Sequence, residues 1–259
     1  MQGNHSKYLK IAATVKHYAF YSGPECDGHT YDGGGCKEYP GLGRGNFNAV
    51  VDAQDSFQTY LPAFESAVAP VAEGGGASAA IMSSFSHVNG VTMVNNTFLQ
   101  QKVLRERFGF GDGMIVTDWG SISNYEGPDK WVEGQPACLT DRCLAQRAAN
   151  CLIAGTDQDL KGGYFGVKFA NKLLPDAEQP LSAAVRLGFV NQSVVEKSVS
   201  RVLDIFFRVG RFDPPESNPY RQIPFDIIIQ PKNPLPICIC LCKNTIIQLL
   251  MIRGIFMSR

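Results

Sequence analysis

The chain has 259 residues, of which 44% are apolar, and its 24 basic and 24 acidic residues give a formal net charge of zero. This apolar content is sufficient for a substantial hydrophobic core and excludes a mainly disordered chain. A neutral chain has no global electrostatic attraction to nucleic acid or to an anionic membrane, so we expect neither as a partner.

The first ten residues, MQGNHSKYLK, are polar and lack the apolar run of a secretory signal peptide. Eight cysteines, by contrast, are typical of an oxidising compartment, and two pairs bracket short loops: Cys26 with Cys36, and Cys138 with Cys143. We therefore expect a secreted parent protein, with no signal peptide in this chain. Three Asn-x-Ser/Thr sequences are also compatible with secretion, and they begin at Asn4, Asn95 and Asn191.

The spacing of apolar residues switches repeatedly between the periods of a strand and of a helix along the chain. Alternation of this kind is typical of a parallel sheet covered by helices, in which the chemistry lies at the carboxyl ends of the strands. Strands are predicted at 11–18, 79–85, 113–117 and 155–160, and helices at 47–69, 96–108 and 144–153.

A further helix is predicted late in the chain. Ser193 and Glu196 have the spacing of a capping box, and the helix ends near Gly210, before two prolines. We interpret it as a packing helix on the outside of the sheet, without a catalytic role. Its apolar stripe consists of Val195, Val199, Val202, Leu203 and Phe206.

Three of the predicted strands are followed by polar residues that suit a sugar. Lys16 and His17 end the first strand, Ser84 and Phe85 end the second and are followed by His87 and Asn89, and Asp118 with Trp119 ends the third. A carboxylate can attack an anomeric carbon, an aromatic ring can stack on a sugar, and Lys and His can donate to its hydroxyls. The alternative for Asp118 is that it only caps a following helix.

Six blocks of sequence resemble glycoside hydrolase family 3, most closely its β-xylosidase and β-glucosidase branch. The resemblance runs from about residue 11 to about residue 226. It implies an α/β fold that is part of a (β/α)8 TIM-type barrel, namely its later strands and helices. Residues 1–215 are then a partial N-terminal barrel domain, and residues 216–259 are a linker and an anomalous apolar tail. The blocks are TVKHYAFYSG, RGNFNAVVDAQDSFQTYLPAFESAV, AAIMSSFSHVNGV, LRERFGFGDGMIVTDWGS, AGTDQDL and SVVEKSVSRVLDIFFRVGRFDPP.

The resemblance implies roles for individual residues. Asp118 of VTDWG matches the catalytic nucleophile of the family, and Trp119 would line the subsite of the glycone, the sugar whose anomeric carbon is attacked. Lys16 and His17 match the pair that holds glycone hydroxyls. Arg44 matches a basic residue that precedes the Phe-Asn-Ala block, and we expect it to contact substrate.

At Phe85 and Asp157 the resemblance to the family is less complete or leaves the role of the residue open. Phe85 is expected to contact substrate, but many members of the family have Ser-Tyr-Asn where this chain has Ser84-Phe85-Ser86, so a tyrosine hydroxyl near the nucleophile is absent. Asp157 matches the AGxD strand end, where a structural role and a place at the pocket rim are both open. The Lys-His-Phe-Pro-Gly-His signature of the N-acetylglucosaminidase branch is missing, which disfavours that branch.

Two parts of the family's active site have no counterpart in the sequence. These are the first barrel strands, which carry an Asp and an Arg that bind the glycone, and the second domain, which supplies the acid/base carboxylate. Glu126 is the only nearby substitute for that acid. The chain ends instead in an apolar tail that Pro231 and Lys243 interrupt, so it is no transmembrane helix. Its alternating Cys238, Cys240 and Cys242 suggest either a metal site or a frame-shifted end.

The resemblance thus predicts a retaining, exo-acting β-glycosidase, of β-xylosidase or β-glucosidase type, that cleaves oligosaccharides or fragments of plant-type polysaccharide through a covalent glycosyl-aspartate. Two carboxylates perform such a reaction, so we expect no metal or organic cofactor. The expected partner is a small carbohydrate, and the oligomeric state is left open. This chain is expected to be a truncated form. The alternative is a non-catalytic carbohydrate-binding remnant or an inactive gene-model fragment.

Overall fold

The structure, a computed structural model, describes residues 1–23, 48–122, 140–160 and 179–224. Arg44, Glu126 and three of the four paired loop cysteines discussed above lie outside these residues. The chain divides into one unit over Met1–Arg221 and another over Gln222–Arg259, and only residues 222–224 of the second are described. Every strand and α-helix below belongs to the first unit.

The described residues contain six strands and five α-helices. The strands are β1 (Thr14–Tyr18), β2 (Asn48–Ala49), β3 (Ala80–Ser83), β4 (His87–Val88), β5 (Val91–Thr92) and β6 (Met114–Thr117). The α-helices are α1 (Ala53–Asp55), α2 (Pro62–Val68), α3 (Asp141–Ala154), α4 (Pro180–Arg186) and α5 (Gln192–Arg208). Two π-helical segments, Ser56–Tyr60 and Phe98–Arg107, and four short 3₁₀ turns complete the set.

A parallel sheet with the strand order β1-β3-β6 forms the centre of this unit. The first three predicted strands are confirmed, each somewhat shorter than expected. The fourth, predicted at 155–160, contributes a single parallel bridge between Gln158 and Val116. The α/β class with a parallel sheet is therefore confirmed, and the strands described here form an open sheet rather than a closed barrel.

The register between β1 and β3 changes at His17. Thr14, Val15 and Lys16 pair in order with residues 80–82, but the next pair joins Tyr18 to Ser83, which leaves His17 as an extra residue. Such a bulge bends a strand and redirects its side chains. Adjacent residues of a regular strand point to opposite faces, so this irregularity matters for how Lys16 and His17 are presented.

The two helical segments that connect the sheet strands follow the predictions with shifted ends. The predicted helix at 47–69 begins only at Ala53, because the Asp52 carboxylate accepts a hydrogen bond from the Asp55 N–H at 2.8 Å and caps the first turn. The predicted helix at 96–108 is present as the π-helical segment Phe98–Arg107.

Helix α3 begins three residues before the predicted segment, because the Thr140 hydroxyl accepts from the Cys143 N–H at 3.2 Å and caps it. It ends at Gly155, whose φ of 115° a residue with a side chain rarely adopts. Helix α4 was not predicted. No helix among the residues described is long and apolar enough to cross a membrane.

The capping box predicted for the late helix is wrong. Helix α5 begins at Gln192 with Asn191 as its N-cap, so Ser193 lies inside the first turn. The Glu196 carboxylate accepts instead from the Gln192 side chain at 2.8 Å. The helix contacts β6 and α3, as expected of a packing helix, yet its apolar stripe stays largely exposed at Val199, Leu203 and Phe206.

Two hydrophobic clusters hold the elements together. One packs the sheet against the helical segments that precede and follow β3, with Tyr18, Ile81 and Ile115 fully buried. The other joins α3 to α4, mostly through alanines such as Ala148 and Ala184 that allow close approach. Since fully burying a large apolar side chain contributes about 1.5–3 kcal/mol, these clusters account for much of the fold's stability.

One side chain ties the beginning of β1 to the beginning of β3. The Gln2 side-chain oxygen accepts from the backbone N–H groups of Ala13 (3.2 Å) and Ala79 (2.9 Å), and its amide donates to the carbonyl of Ala77 (2.9 Å). This end of the sheet lies opposite the carboxyl ends of the strands.

Candidate active site

The carboxyl ends of the three parallel strands lie side by side. Tyr18 pairs with Ser83, and Ser83 pairs with Thr117, so the residues that follow each strand emerge at the same edge. The three groups of polar residues predicted from the sequence all belong to this edge. The structure therefore brings the predicted residues of β1 and of the loop after β6 together.

The central contact of this edge joins His17 to Asp118. The His17 Nε2 lies 3.3 Å from the Asp118 Oδ2, and the two side chains are 23% and 20% exposed. Both are therefore sheltered from bulk solvent but can still be reached by a ligand. The bulge lies at the carboxyl end of β1, from which the imidazole reaches across β3 to Asp118, the residue after β6.

The backbone around Asp118 fixes its carboxylate in place. The Asp118 N–H donates to the Ser83 carbonyl at 3.1 Å, and the Trp119 N–H donates to the Asp118 Oδ1 at 2.7 Å. The Ser121 N–H and hydroxyl both donate to the Asp118 carbonyl. Residues 119–122 form a turn and not a helix, so the alternative that Asp118 caps a helix is not realised.

Aromatic rings surround this contact. Trp119 is 54% exposed and offers a face to a ligand, whereas Phe85 is only 8% exposed. Tyr21 lies between His17 and Phe85, with ring centroids 4.9 Å from the imidazole and 6.3 Å from the phenyl ring. Sequence reasoning missed Tyr21, and its only signal is an aromatic residue four positions after the histidine in TVKHYAFYSG.

The serines beside Phe85 bind the backbone that follows β1. The Ser84 hydroxyl donates to the Ala19 carbonyl at 2.9 Å, and the Ser86 hydroxyl donates to the Phe20 carbonyl at 3.2 Å. The chain thus uses this segment to link the exits of β1 and β3. The two serines of Ser84-Phe85-Ser86 therefore stabilise the backbone at this edge of the sheet.

Lys16 is half-buried in β1, one residue before the bulge. Over residues 1–23, 48–122, 140–160 and 179–224, no carboxylate lies within 4.0 Å of its ammonium group. Arg44, the other predicted basic contact, cannot be placed, since it lies outside the described residues.

Asp157 is a structural residue. Its carboxylate accepts from Arg105 at 2.8 Å, from Arg201 at 3.1 Å and from the Ile115 N–H at 2.9 Å, and its side chain is only 1% exposed. Burial raises the pKa of this carboxyl, and the two guanidinium groups partly offset that rise. These contacts are incompatible with a position at the pocket rim, which resolves the alternative left open by the sequence.

The arrangement supplies a nucleophile for a substitution at a sugar carbon, but no acid that would protonate the leaving group has been identified among the residues described above. It offers a carboxylate oriented by two neighbours, an imidazole and an exposed indole, which together suit a neutral polyhydroxylated ligand. Within the described part of the chain, no cluster of three or more His, Cys, Asp or Glu side chains is arranged to hold a metal ion.

Comparison with known proteins identifies glycoside hydrolases as relatives of this chain. A model of the glycosyl hydrolase family 3 N-terminal domain matches residues 1–205. The chain is 29% identical over 228 residues to exo-1,4-β-xylosidase bxlB of Emericella nidulans, a match that covers 87% of this chain and 25% of that protein. It is 27% identical over 246 residues to the xylan 1,4-β-xylosidase of Xylanibacter ruminicola, covering 94% of this chain and 23% of that protein.

A similar match is found among solved structures. The family 3 exo-β-xylosidase XlnD, in complex with a xylobiose aziridine activity-based probe, superposes with a TM-score of 0.62 at 26% identity. The match covers 86% of this chain and 24% of that one. The chain therefore spans about a quarter of the length of these relatives.

Proposed function

Because the chain belongs to glycosyl hydrolase family 3, through its N-terminal domain, we propose that it supplies the nucleophile side of a retaining, exo-acting β-glycosidase. The observation that carries the proposal is the 3.3 Å contact between the His17 Nε2 and the Asp118 Oδ2 at the carboxyl edge of the sheet. Active sites of (β/α) barrels lie at this edge.

In the proposed reaction, the Asp118 carboxylate attacks the anomeric carbon of the terminal sugar. A carbon–oxygen bond to Asp118 forms while the bond to the leaving oxygen breaks, and an acid gives that oxygen a proton. Water then attacks the same carbon, gives up a proton and releases Asp118, so two inversions retain the configuration. The contacts from His17 and the Trp119 N–H hold the carboxylate in one orientation throughout.

The sugar would be bound by the groups around Asp118. The exposed face of Trp119 suits the C–H face of a pyranose, and the Lys16 ammonium can donate to its hydroxyls. Arg44 and Phe85 remain predicted contacts. Among pyranosides, we propose a β-xyloside as the preferred substrate, because both curated relatives described above are named as β-xylosidases.

The proposal includes a restriction on activity. A general acid contributes about 10²–10⁴-fold in rate, and family resemblance assigns it to a domain that the matched region does not include. We expect the 259-residue chain by itself to attack only substrates whose leaving group needs no proton. Efficient hydrolysis of an alkyl xyloside by the purified chain would contradict this restriction.

Trapping the covalent intermediate tests the nucleophile directly. The folded chain is incubated with a 2-deoxy-2-fluoro-β-xyloside that carries a dinitrophenol leaving group, and the labelled peptide is identified by mass spectrometry. We expect the label on Asp118 and none on the Asp118→Asn variant. A label on a peptide without Asp118 would overturn the assignment. A folded chain that binds xylose but takes up no label would favour the carbohydrate-binding remnant.

A further inference from the structure

The three Asn-x-Ser/Thr sequences lie in different surroundings. Asn191 is the exposed N-cap residue of α5, with φ −75° and ψ 144°. Its carbonyl accepts from the Val194 N–H at 3.0 Å, but its side chain makes no capping hydrogen bond. The Asn191 side chain is therefore not held by the helix that it begins, and Ser193, two residues on, is also exposed.

The other two sequences are built into packed segments. Asn95 is half-buried, and the next residue, Asn96, is buried with its side-chain oxygen accepting from the Leu99 N–H at 2.9 Å. Asn4 is exposed, but its backbone N–H donates to the Tyr220 hydroxyl at 2.8 Å, and that hydroxyl lies 3.4 Å from its side-chain oxygen. A bulky substituent fits the surroundings of Asn191 best.

We propose that Asn191 is an N-glycosylation site of this protein. The donor is an oligosaccharide linked to a lipid pyrophosphate. The bond from the sugar C1 to the pyrophosphate oxygen breaks, a bond from C1 to the Asn191 Nδ2 forms, the lipid pyrophosphate leaves, and one amide proton is lost. Cys143 is disulfide-bonded, which fits passage through the oxidising compartment where this transfer takes place.

The glycan would lie at one end of an exposed apolar surface. Val195, Val199, Leu203 and Phe207 line an open groove along α5 that begins at Gln192, the residue next to Asn191. Exposed apolar surfaces promote association, and a hydrated oligosaccharide at the end of this groove would hinder it. The modification therefore has a physical consequence for solubility.

The test uses the full chain behind a cleavable signal peptide in a secreting yeast. Transfer happens during translocation, so chains from whole cells are analysed whether or not they are exported. Glycopeptides are treated with a glycan-releasing amidase in heavy-oxygen water, which marks each formerly modified asparagine as labelled aspartate. We expect the label at Asn191. The Asn4→Gln and Asn95→Gln variants should still migrate more slowly in gel electrophoresis before the glycan is released than after it.

A second variant separates recognition of the sequence from any structural role of Asn191. Gln192→Pro blocks transfer, because proline is not accepted between Asn and Ser/Thr. Proline is well tolerated at the first position of a helix, and the extended backbone of Asn191 suits a following proline. We expect this variant to lose the glycan at Asn191 and to form more aggregate. Unmodified Asn191 in a wild-type chain whose signal peptide has been removed would overturn the proposal.

Discussion

Replacing Asp157 by asparagine should destabilise the protein strongly, although the two side chains have nearly the same volume. The carboxylate lies between Arg105 and Arg201, and the Arg105 side chain is itself buried. Arg105 also donates to the carbonyls of Gly111 and Gly113 at 2.7 Å, so it cannot swing out to water without breaking these bonds. The substitution would therefore leave a buried cation without its counter-charge.

Removing one partner of a buried ion pair typically costs about 3–5 kcal/mol. Arg201 keeps its contact with the Asp112 carboxylate at 3.2 Å, so the lower end of this range, about 3 kcal/mol, is expected. Total stabilities of domains are about 5–15 kcal/mol. With a slope of about 2 kcal/mol per molar urea, the midpoint of unfolding should fall by roughly 1.5 M.

Asp112→Asn provides a matched control, because it removes the same charge from the same network. Asp112 is 65% exposed and contacts Lys197 and Arg201, and exposed pairs contribute only about 0–1 kcal/mol. Both variants would be unfolded in urea and followed by circular dichroism. Equal shifts of the two midpoints would refute the conclusion that burial makes the Asp157 contacts important.

Two further predictions concern the site and its surroundings. Lys16→Ala and His17→Ala should each weaken transition-state binding of an activated xyloside by about 1.5–3 kcal/mol, measured as kcat/KM, whereas a structural role would lower stability and leave the kinetic constants unchanged. Burial lowers the pKa of His87 from 6.5 to about 4. As the pH falls, His87 is therefore protonated in the unfolded chain before it is protonated in the folded one. The free energy of unfolding should decrease by up to about 3 kcal/mol as the pH is lowered from 6.5 to 4. His87→Gln should flatten that slope in urea unfolding followed at several pH values.

The fold could be predicted where a local pattern determines it. The apolar runs that became β1, β3 and β6 have no competing helical period, and their order along the chain already implied a parallel sheet. Helix α4 was missed because its seven residues are too few to show a clear period. The cap of α5 was misplaced because Asn191 and Ser193 are both good N-cap residues, and only the fold decides between them.

The site was predicted to the level of strand ends and no further. Lys16, His17, Asp118 and Trp119 were predicted because they stand at the carboxyl ends of parallel strands, which meet at one edge of a sheet. The position of Tyr21 against His17 depends on the path of the backbone after the bulge. The spacing of apolar residues in the sequence does not predict that path. Likewise, the sequence could not reveal which neighbours surround Asp157, because its two arginines come from distant segments.

The contacts of Gln2 have a practical consequence for anyone producing this protein. Its side-chain oxygen accepts from the N–H groups of Ala13 and Ala79, and its side-chain nitrogen donates to the carbonyl of Ala77. Trimming a few residues from the front of a recombinant chain would therefore remove a clamp on two strands at once. Purification tags belong ahead of an intact first segment, joined through a flexible spacer, and a protease site should be chosen that preserves Gln2.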